Sequence, residues 1–265
     1  MTKIRPLKRF GQNYLADDNI LRKIAEEINP SRGDLLVEIG PGLGALTKFL
    51  YEQVDNLIAV EIDTRVSESL LLKFPELRLI TSDILEFDIK GLSVEKRSKV
   101  RIVGNIPYNL TSPILFKMIE NNNYINDAVL MVQFEVAQRI NAKRGIKDYG
   151  ILAVIIQYFA DVELCFKVSP NVFYPKPKVF SAVIHLHFKD NNLLPEEKQF
   201  FIKVVKAAFG NRRKTLKNSL SNSIFANLNF EGSGIDLSLR AEQLSIDDFL
   251  KLTKFTYEKS QLSHN

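Results

Sequence analysis

The chain has 265 residues, 45% of them apolar and 25% charged, the balance of a folded globular protein rather than of a disordered or fibrous one. No apolar run approaches the roughly 18–20 residues of a membrane span, and the basic start "MTKIRPLKRFGQ" has no apolar segment behind it, so neither a spanning helix nor a secretory signal is expected. The formal net charge of +5 is mild but unevenly placed, with clusters at Lys3, Arg5, Lys8 and Arg9, at Lys176 and Lys178, and at Arg212, Arg213, Lys214 and Lys217, which suits a polyanionic partner.

Along the first 135 residues, apolar runs alternate with segments of helical spacing. Buried strands are expected at 34–40, 57–63, 77–84, 100–106 and 128–133, and helices at 19–29, 43–54, 64–74 and 112–122. Ser112 followed by Pro113 makes a good helix start. Strands alternating with helices through short connections imply a doubly wound, mostly parallel sheet. Residues 149–160 are apolar almost throughout and are expected as a helix against that sheet. The runs at 162–168 and 180–188 then form a closing pair, giving seven strands in all. The single cysteine, Cys165, lies in the first of these runs. It reads as a packing residue of a protein from a reducing cytoplasm. His185 and His187 alternate on the second run, a spacing that could hold a metal, but no Cys or carboxylate cluster is expected to join them, so no metal site is expected. From about residue 191 the chain turns into amphipathic helices. The division expected is a catalytic domain over 1–190 and a small all-helical domain over 191–265.

The candidate site follows from how the strands end. "VEIGPGLGALT" is a glycine-rich strand-to-helix turn at Gly40, Gly42 and Gly44, where open α/β sheets bind ligands. Taken alone it also satisfies the dinucleotide pattern G-x-G-x-x-G/A. Glu61 closes the second strand and can accept from two ribose hydroxyls, which fits either kind of cofactor. Asp83 closes the third and can accept from an adenine amine; either carboxylate could instead cap a helix.

The fourth strand ends in "GNIPYNL", and this stretch separates the alternatives. Dinucleotide chemistry has no use for Asn105-Ile106-Pro107-Tyr108, whereas amine methylation does. The exocyclic amine of adenine is a poor nucleophile because its lone pair is delocalised into the ring. The Asn105 side-chain oxygen and the Ile106 carbonyl can accept both amine hydrogens and favour the pyramidal nitrogen, which is positioning and electrostatic stabilisation of the transition state. Pro107 stiffens the turn and Tyr108 offers a stacking face for the base. A second aromatic, Phe173 in "NVFYPKP", is expected on the base's other side.

In order along nearly the whole chain, "KRFGQNYL", "VEIGPGLGALT", "AVEID", "SDIL", "NIPYNLTSPIL", "MVQFEVAQRI", "FYPKPKVFSAV", "RRKTLKNSL" and "RAEQLS" resemble the ribosomal RNA adenine N6-dimethyltransferases, most of all their bacterial small-subunit (16S) branch. The resemblance implies a Rossmann-like class I methyltransferase sheet using S-adenosylmethionine. It implies a cofactor pocket lined by Asn13, Leu15, Gly40, Gly42, Glu61, Asp83 and Asn105. It also implies transfer of two methyl groups to each of two adjacent adenosines in a hairpin loop near the 3′ end of 16S RNA, within an assembling small subunit. Apart from the resemblance, a monomer in the cytoplasm is expected. RNA contacts are then expected from Lys8, Arg9, Lys176, Lys178, Arg212, Arg213, Lys214 and Lys217. Three positions depart from the family pattern: Tyr14 stands where Phe is usual, Phe134 where Lys is usual, and Ala153 where Ser is common. Enzymes of large-subunit (23S) RNA share the glycine loop and "NIPY", and DNA adenine and protein glutamine methylases share the Asn-X-Pro-Tyr logic. A ribosome-assembly factor that kept the fold without catalysis is the non-enzymatic alternative.

Overall fold

The computed structural model describes Pro6 and residues 11–262. Cα packing groups Met1–Ala137 with Ala160–Lys189 in one unit, and Gln138–Phe159 with Asp190–Asn265 in a second.

The first unit is built on β1 (Tyr14–Leu15), α1 (Asp18–Ile28), β2 (Leu35–Ile39), α2 (Thr47–Leu50), β3 (Asn56–Glu61), α3 (Thr64–Lys73), β4 (Arg78–Thr81), α4 (Ile89–Lys96), β5 (Val100–Asn105), α5 (Thr111–Glu120), β6 (Ile125–Gln133), α6 (Phe134–Ile140, whose end passes into the second unit), β7 (Ala160–Val168), β8 (Phe173–Tyr174) and β9 (Ser181–Phe188). Seven strands form one sheet in the order β4-β3-β2-β5-β6-β9-β7. The first five are parallel, and β9 runs antiparallel between β6 and β7. All five residues of β2 are buried, as a parallel strand covered on both faces requires. The chain reverses its direction of travel across the sheet between β2 and β5, so their carboxyl ends open the crevice in which such sheets take ligands. Gly104 permits that pairing: a Cβ there would lie 2.6 Å from the Ile39 carbonyl oxygen.

The helix expected over 43–54 shrinks to Thr47–Leu50 flanked by turns, because Gly42 and Gly44 take φ of +55° and +82° and hold the first turn out of the helix. Helix α4 and the short strands β1 and β8 escaped the periodicity. Helix α4 has a weak apolar pattern and is started by Asp88, whose carboxylate accepts from the Gly91 N–H at 2.8 Å. Strands β1 and β8 have only two residues each; they pair antiparallel, Tyr14 with Tyr174 and Leu15 with Phe173.

The second unit holds α7 (Ile151–Phe159), α8 (Pro195–Ala208), α9 (Leu216–Ser221) and α10 (Ile246–Leu262). The helix expected against the sheet, α7, groups here instead, because its aromatic end packs on α8: the Tyr158 and Phe159 rings lie 4.9 and 6.1 Å from that of Phe201. Residues 138–159 therefore stand apart from the expected 1–190 block, while the change of unit at Lys189/Asp190 falls where the composition shifts. Gln157 ties the unit's first segment together by donating to the Ile140 and Ala142 carbonyls at 2.7 and 2.9 Å. A turn after Ala208 splits what reads as one helix into α8 and α9. Thr215 caps α9 by accepting from the Asn218 N–H at 3.4 Å. No described helix is long and apolar enough to cross a membrane.

Candidate active site

At the carboxyl ends of β2, β3, β4 and β5 lies a cavity of about 320 Å³ lined by Asn13, Gly40, Gly42, Glu61, Asp83, Asn105, Ile106, Pro107 and Tyr108 among others. Residues spread over almost a hundred positions of sequence meet there: those from Gly40 to Tyr108 because each follows or ends a parallel strand, and Asn13 because its carbonyl accepts from Asn105 Nδ2 and its neighbour Gln12 donates to Asp63. Gly40 has φ +61°, and a Cβ built on it meets nothing within 4 Å, so its open side is available to a ligand.

Glu61 is buried and both its oxygens are engaged, Oε2 by the Gly42 N–H at 3.1 Å and Oε1 by the Asp63 N–H at 2.9 Å. Burial raises its pKa, opposed by those amides. The carboxylate thus fixes the glycine loop and keeps lone pairs for a ligand hydroxyl. Asp63 is held at about 2, chiefly by the Arg65 guanidinium, and also accepts from Gln12 Nε2 at 3.0 Å. Gln12 therefore pins the segment carrying Asn13 to the end of β3. Asp83 caps its own turn, Oδ1 accepting from the Leu85 N–H at 2.9 Å, and still lines the cavity; capping and ligand contact are compatible here.

Asn105 ends β5, and its Nδ2 donates to the Asn13 carbonyl at 2.8 Å. That bond orients the amide: with nitrogen committed to Asn13, Oδ1 is the atom left to accept from a substrate. Tyr108 exchanges a 2.7 Å hydrogen bond with Ser181 Oγ, which holds its half-buried ring at the cavity wall. Burial raises the Tyr108 pKa, so the phenol stays neutral.

Two expected residues lie elsewhere. Leu15 is 6% exposed and belongs to the core and to a second cavity of about 480 Å³, which shares Gly40, Tyr14 and Asn105 with the first. Phe173 pairs with Leu15, is 5% exposed and is packed in the same core cluster; it is not among the residues lining the cavity, and its neighbour Tyr174 is the exposed ring. Sequence reasoning missed Gln12, Tyr14, Glu38 and Ser181. Glu38 is 2% exposed, accepts from Thr47 Oγ1 at 2.7 Å, and is pushed up to about 7 by burial against that bond. The Tyr14 hydroxyl is buried without a partner among the described residues. A carboxyl beside the glycine loop of a buried strand was the available signal for Glu38; nothing local marks the others.

Of the expected RNA contacts, Lys8 and Arg9 lie outside the described residues. Lys176 and Lys178 are exposed before β9, and Arg213, Lys214 and Lys217 are exposed on and after the turn between α8 and α9. Arg212 is otherwise engaged, paired with Glu242 at 3.2 Å and donating to the Tyr149 carbonyl at 3.3 Å.

The site accommodates S-adenosylmethionine: acidic acceptors at the ends of β3 and β4, an open glycine loop, apolar walls from Ile39, Val60, Ile62 and Ile84, and an orphan buried hydroxyl on Tyr14. Comparisons with known proteins agree. The family model for ribosomal RNA adenine dimethylases matches residues 3–258. The ribosomal RNA small subunit methyltransferase A of Francisella tularensis is 43% identical over 258 residues, 96% of this chain and 98% of that protein. Among solved structures, a dimethyladenosine transferase from Plasmodium falciparum superposes with TM-score 0.75 at 25% identity over 93% of this chain and 98% of that one. The 23S rRNA methyltransferase ErmE superposes with TM-score 0.66 at 25% identity over 91% and 98%. The fold is thus that of the class I methyltransferases, and the chain belongs to the ribosomal RNA adenine dimethylase family, enzymes that transfer methyl groups from S-adenosylmethionine to adenine N6.

Proposed function

We propose that this enzyme dimethylates N6 of two adjacent adenosines in a hairpin loop near the 3′ end of 16S RNA, during small-subunit maturation in the cytoplasm, and that it acts as a monomer. The identity of 43% to a protein named for the small subunit, over nearly the full length of both chains, supports the choice of RNA. The observation that carries the chemistry is the 2.8 Å bond from Asn105 Nδ2 to the Asn13 carbonyl.

S-adenosylmethionine, when bound, supplies an electrophilic methyl group on a sulfonium. Glu61 would hold its ribose, Asp83 its adenine amine, and the Asn13 segment with Gly40 and Gly42 the remainder. The chain's own task is to present the nitrogen. Asn105 Oδ1, oriented by Asn13, accepts one hydrogen of the target amine, and the Ile106 carbonyl accepts the other. Both pull electron density onto the nitrogen as it pyramidalises, so no strong base is needed. Pro107 fixes the turn, and Tyr108, braced by Ser181, stacks on the unpaired base. The second unit would grip the particle through Arg213, Lys214 and Lys217.

Nucleoside mass spectrometry and primer extension on both ribosomal RNAs, from a strain lacking the gene and from that strain restored, test the reading. Dimethyladenosine should disappear from 16S RNA and return on restoration. Its persistence there, or its loss from 23S RNA instead, refutes the proposal.

A further inference from the structure

We propose that Lys167 and Phe180 form a platform for the nucleotide next to the methylated adenosine, the ammonium taking its phosphate and the ring its base; the assignment of that nucleotide rests on the RNA reading above. Lys167 Nζ stands 4.4 Å from the centroid of the Phe134 ring and 4.1 Å from that of Phe180. The side chain is exposed and makes no ion pair among the described residues. Two ring faces hold the ammonium in place without neutralising it, as a carboxylate would. Phe134, which reads in the sequence as the loss of a charge, thus serves to position one. Phe180 is 46% exposed. A lone surface phenylalanine is ordinary, but this one is fixed by its carbonyl, which accepts from the Phe134 N–H at 2.9 Å.

The location gives the platform its occupant. Ser181, the next residue, is the group that braces Tyr108 at 2.7 Å. Ser181 pairs with Gln133 on one side and Val168 on the other, so the residues bearing the platform, Phe134, Lys167 and Phe180, each lie one position from that row. Lys176 and Lys178 stand with Phe180 and Asn171 around an adjoining shallow cavity. Between Glu163 and Asp190 the chain has four lysines and no acidic residue. An exposed ring beside a cation without an ion pair among the described residues, in a segment that carries lysines and no acid, matches single-stranded RNA, which offers a stacking face and a phosphate at each step.

The test measures binding of the full-length protein to an RNA hairpin with an adenosine-containing loop, by fluorescence anisotropy over a salt series. Lys167→Gln should reduce the slope of log K against log salt by about one phosphate contact, and Lys167→Arg should restore it. Phe180→Leu, which keeps an apolar side chain, should weaken binding about ten-fold at fixed salt with the slope unchanged. Affinity for S-adenosylmethionine and the thermal midpoint should stay at wild-type values in all three. Wild-type RNA affinity and slope in Lys167→Gln and Phe180→Leu would overturn the platform, as would a parallel fall in cofactor affinity, the mark of a merely structural role. Failure of the wild-type protein to bind the hairpin overturns it as well. The proposed function is decided separately, by which ribosomal RNA the wild-type enzyme methylates: hairpin binding with the predicted variant effects, together with methylation of 23S RNA alone, upholds the platform and refutes the 16S assignment.

Discussion

The proposed mechanism gives Asn105 two separable duties, and a pair of substitutions divides them. Its nitrogen anchors to the Asn13 carbonyl at 2.8 Å, which leaves its oxygen to accept from a substrate in the cavity that the residue lines. Asn105→Asp keeps an acceptor toward the substrate but sets a carboxylate oxygen against the Asn13 oxygen. One hydrogen bond is lost and a half-buried acceptor is left facing another, a cost of about 1–3 kcal/mol. The Asn13 segment should therefore loosen, and cofactor affinity should fall about 5- to 150-fold, since each 1.4 kcal/mol is a factor of ten. Asn105→Ala breaks the same anchor without creating the repulsion, so its affinity loss should be smaller. It also removes the preorganised acceptor, and loss of one such contact typically costs on the order of 10²–10³ in kcat. The expected pattern is crossed: Asp hurts cofactor binding more, Ala hurts turnover more. Isothermal titration with S-adenosylhomocysteine reads the first quantity, and single-turnover methylation of undermethylated small subunits at saturating cofactor reads the second. A thermal scan checks that both variants fold. If Asp matches wild type in both assays, the anchor has no part in the site. If Ala turns over as fast as Asp, the acceptor role of Oδ1 is wrong.

Further outcomes follow from other contacts. His185 lies between Asp127 Oδ2 at 2.8 Å and Glu27 Oε1 at 3.0 Å; burial opposes its charge, but the two carboxylates outweigh it and raise the pKa above 6.5. The stability from that imidazolium is full below the unfolded value and fades as pH rises through the folded one, so the difference in thermal midpoint between wild type and His185→Gln should be largest in mild acid and shrink on going alkaline. Gly42→Ala would force a non-glycine residue to φ +55°, at about 1–2 kcal/mol, and set its Cβ 2.7 Å from Tyr14 Cε1; titration should show cofactor affinity falling about ten-fold or more. Arg213→Glu with Lys214→Glu should weaken sedimentation with small-subunit particles and leave cofactor affinity unchanged. Arg212→Glu should instead lower the thermal midpoint, since it turns the pairing with Glu242 into repulsion and removes the donor to Tyr149.

By itself the sequence determined the elements whose physics is local. A run such as "DLLVEIG" is buried on both faces wherever it packs, so the strand was legible, and so was the placing of Gly40, Glu61, Asp83 and Asn105 at the strand ends, where they line one cavity. The glycines of the first turn were legible as a loop, but not how far they would shorten the helix after it. Contacts between distant positions were decided only by the tertiary structure. Asn13 and Asn105 meet across 92 residues, and Tyr108 and Ser181 across 73. Phe173 lies in the core, in a two-residue pairing too short to leave a pattern, and α7 joins the second unit through its packing on Phe201. Periodicity tells a segment which face is apolar; which neighbour covers that face depends on strand order and register, and those are properties of the whole chain.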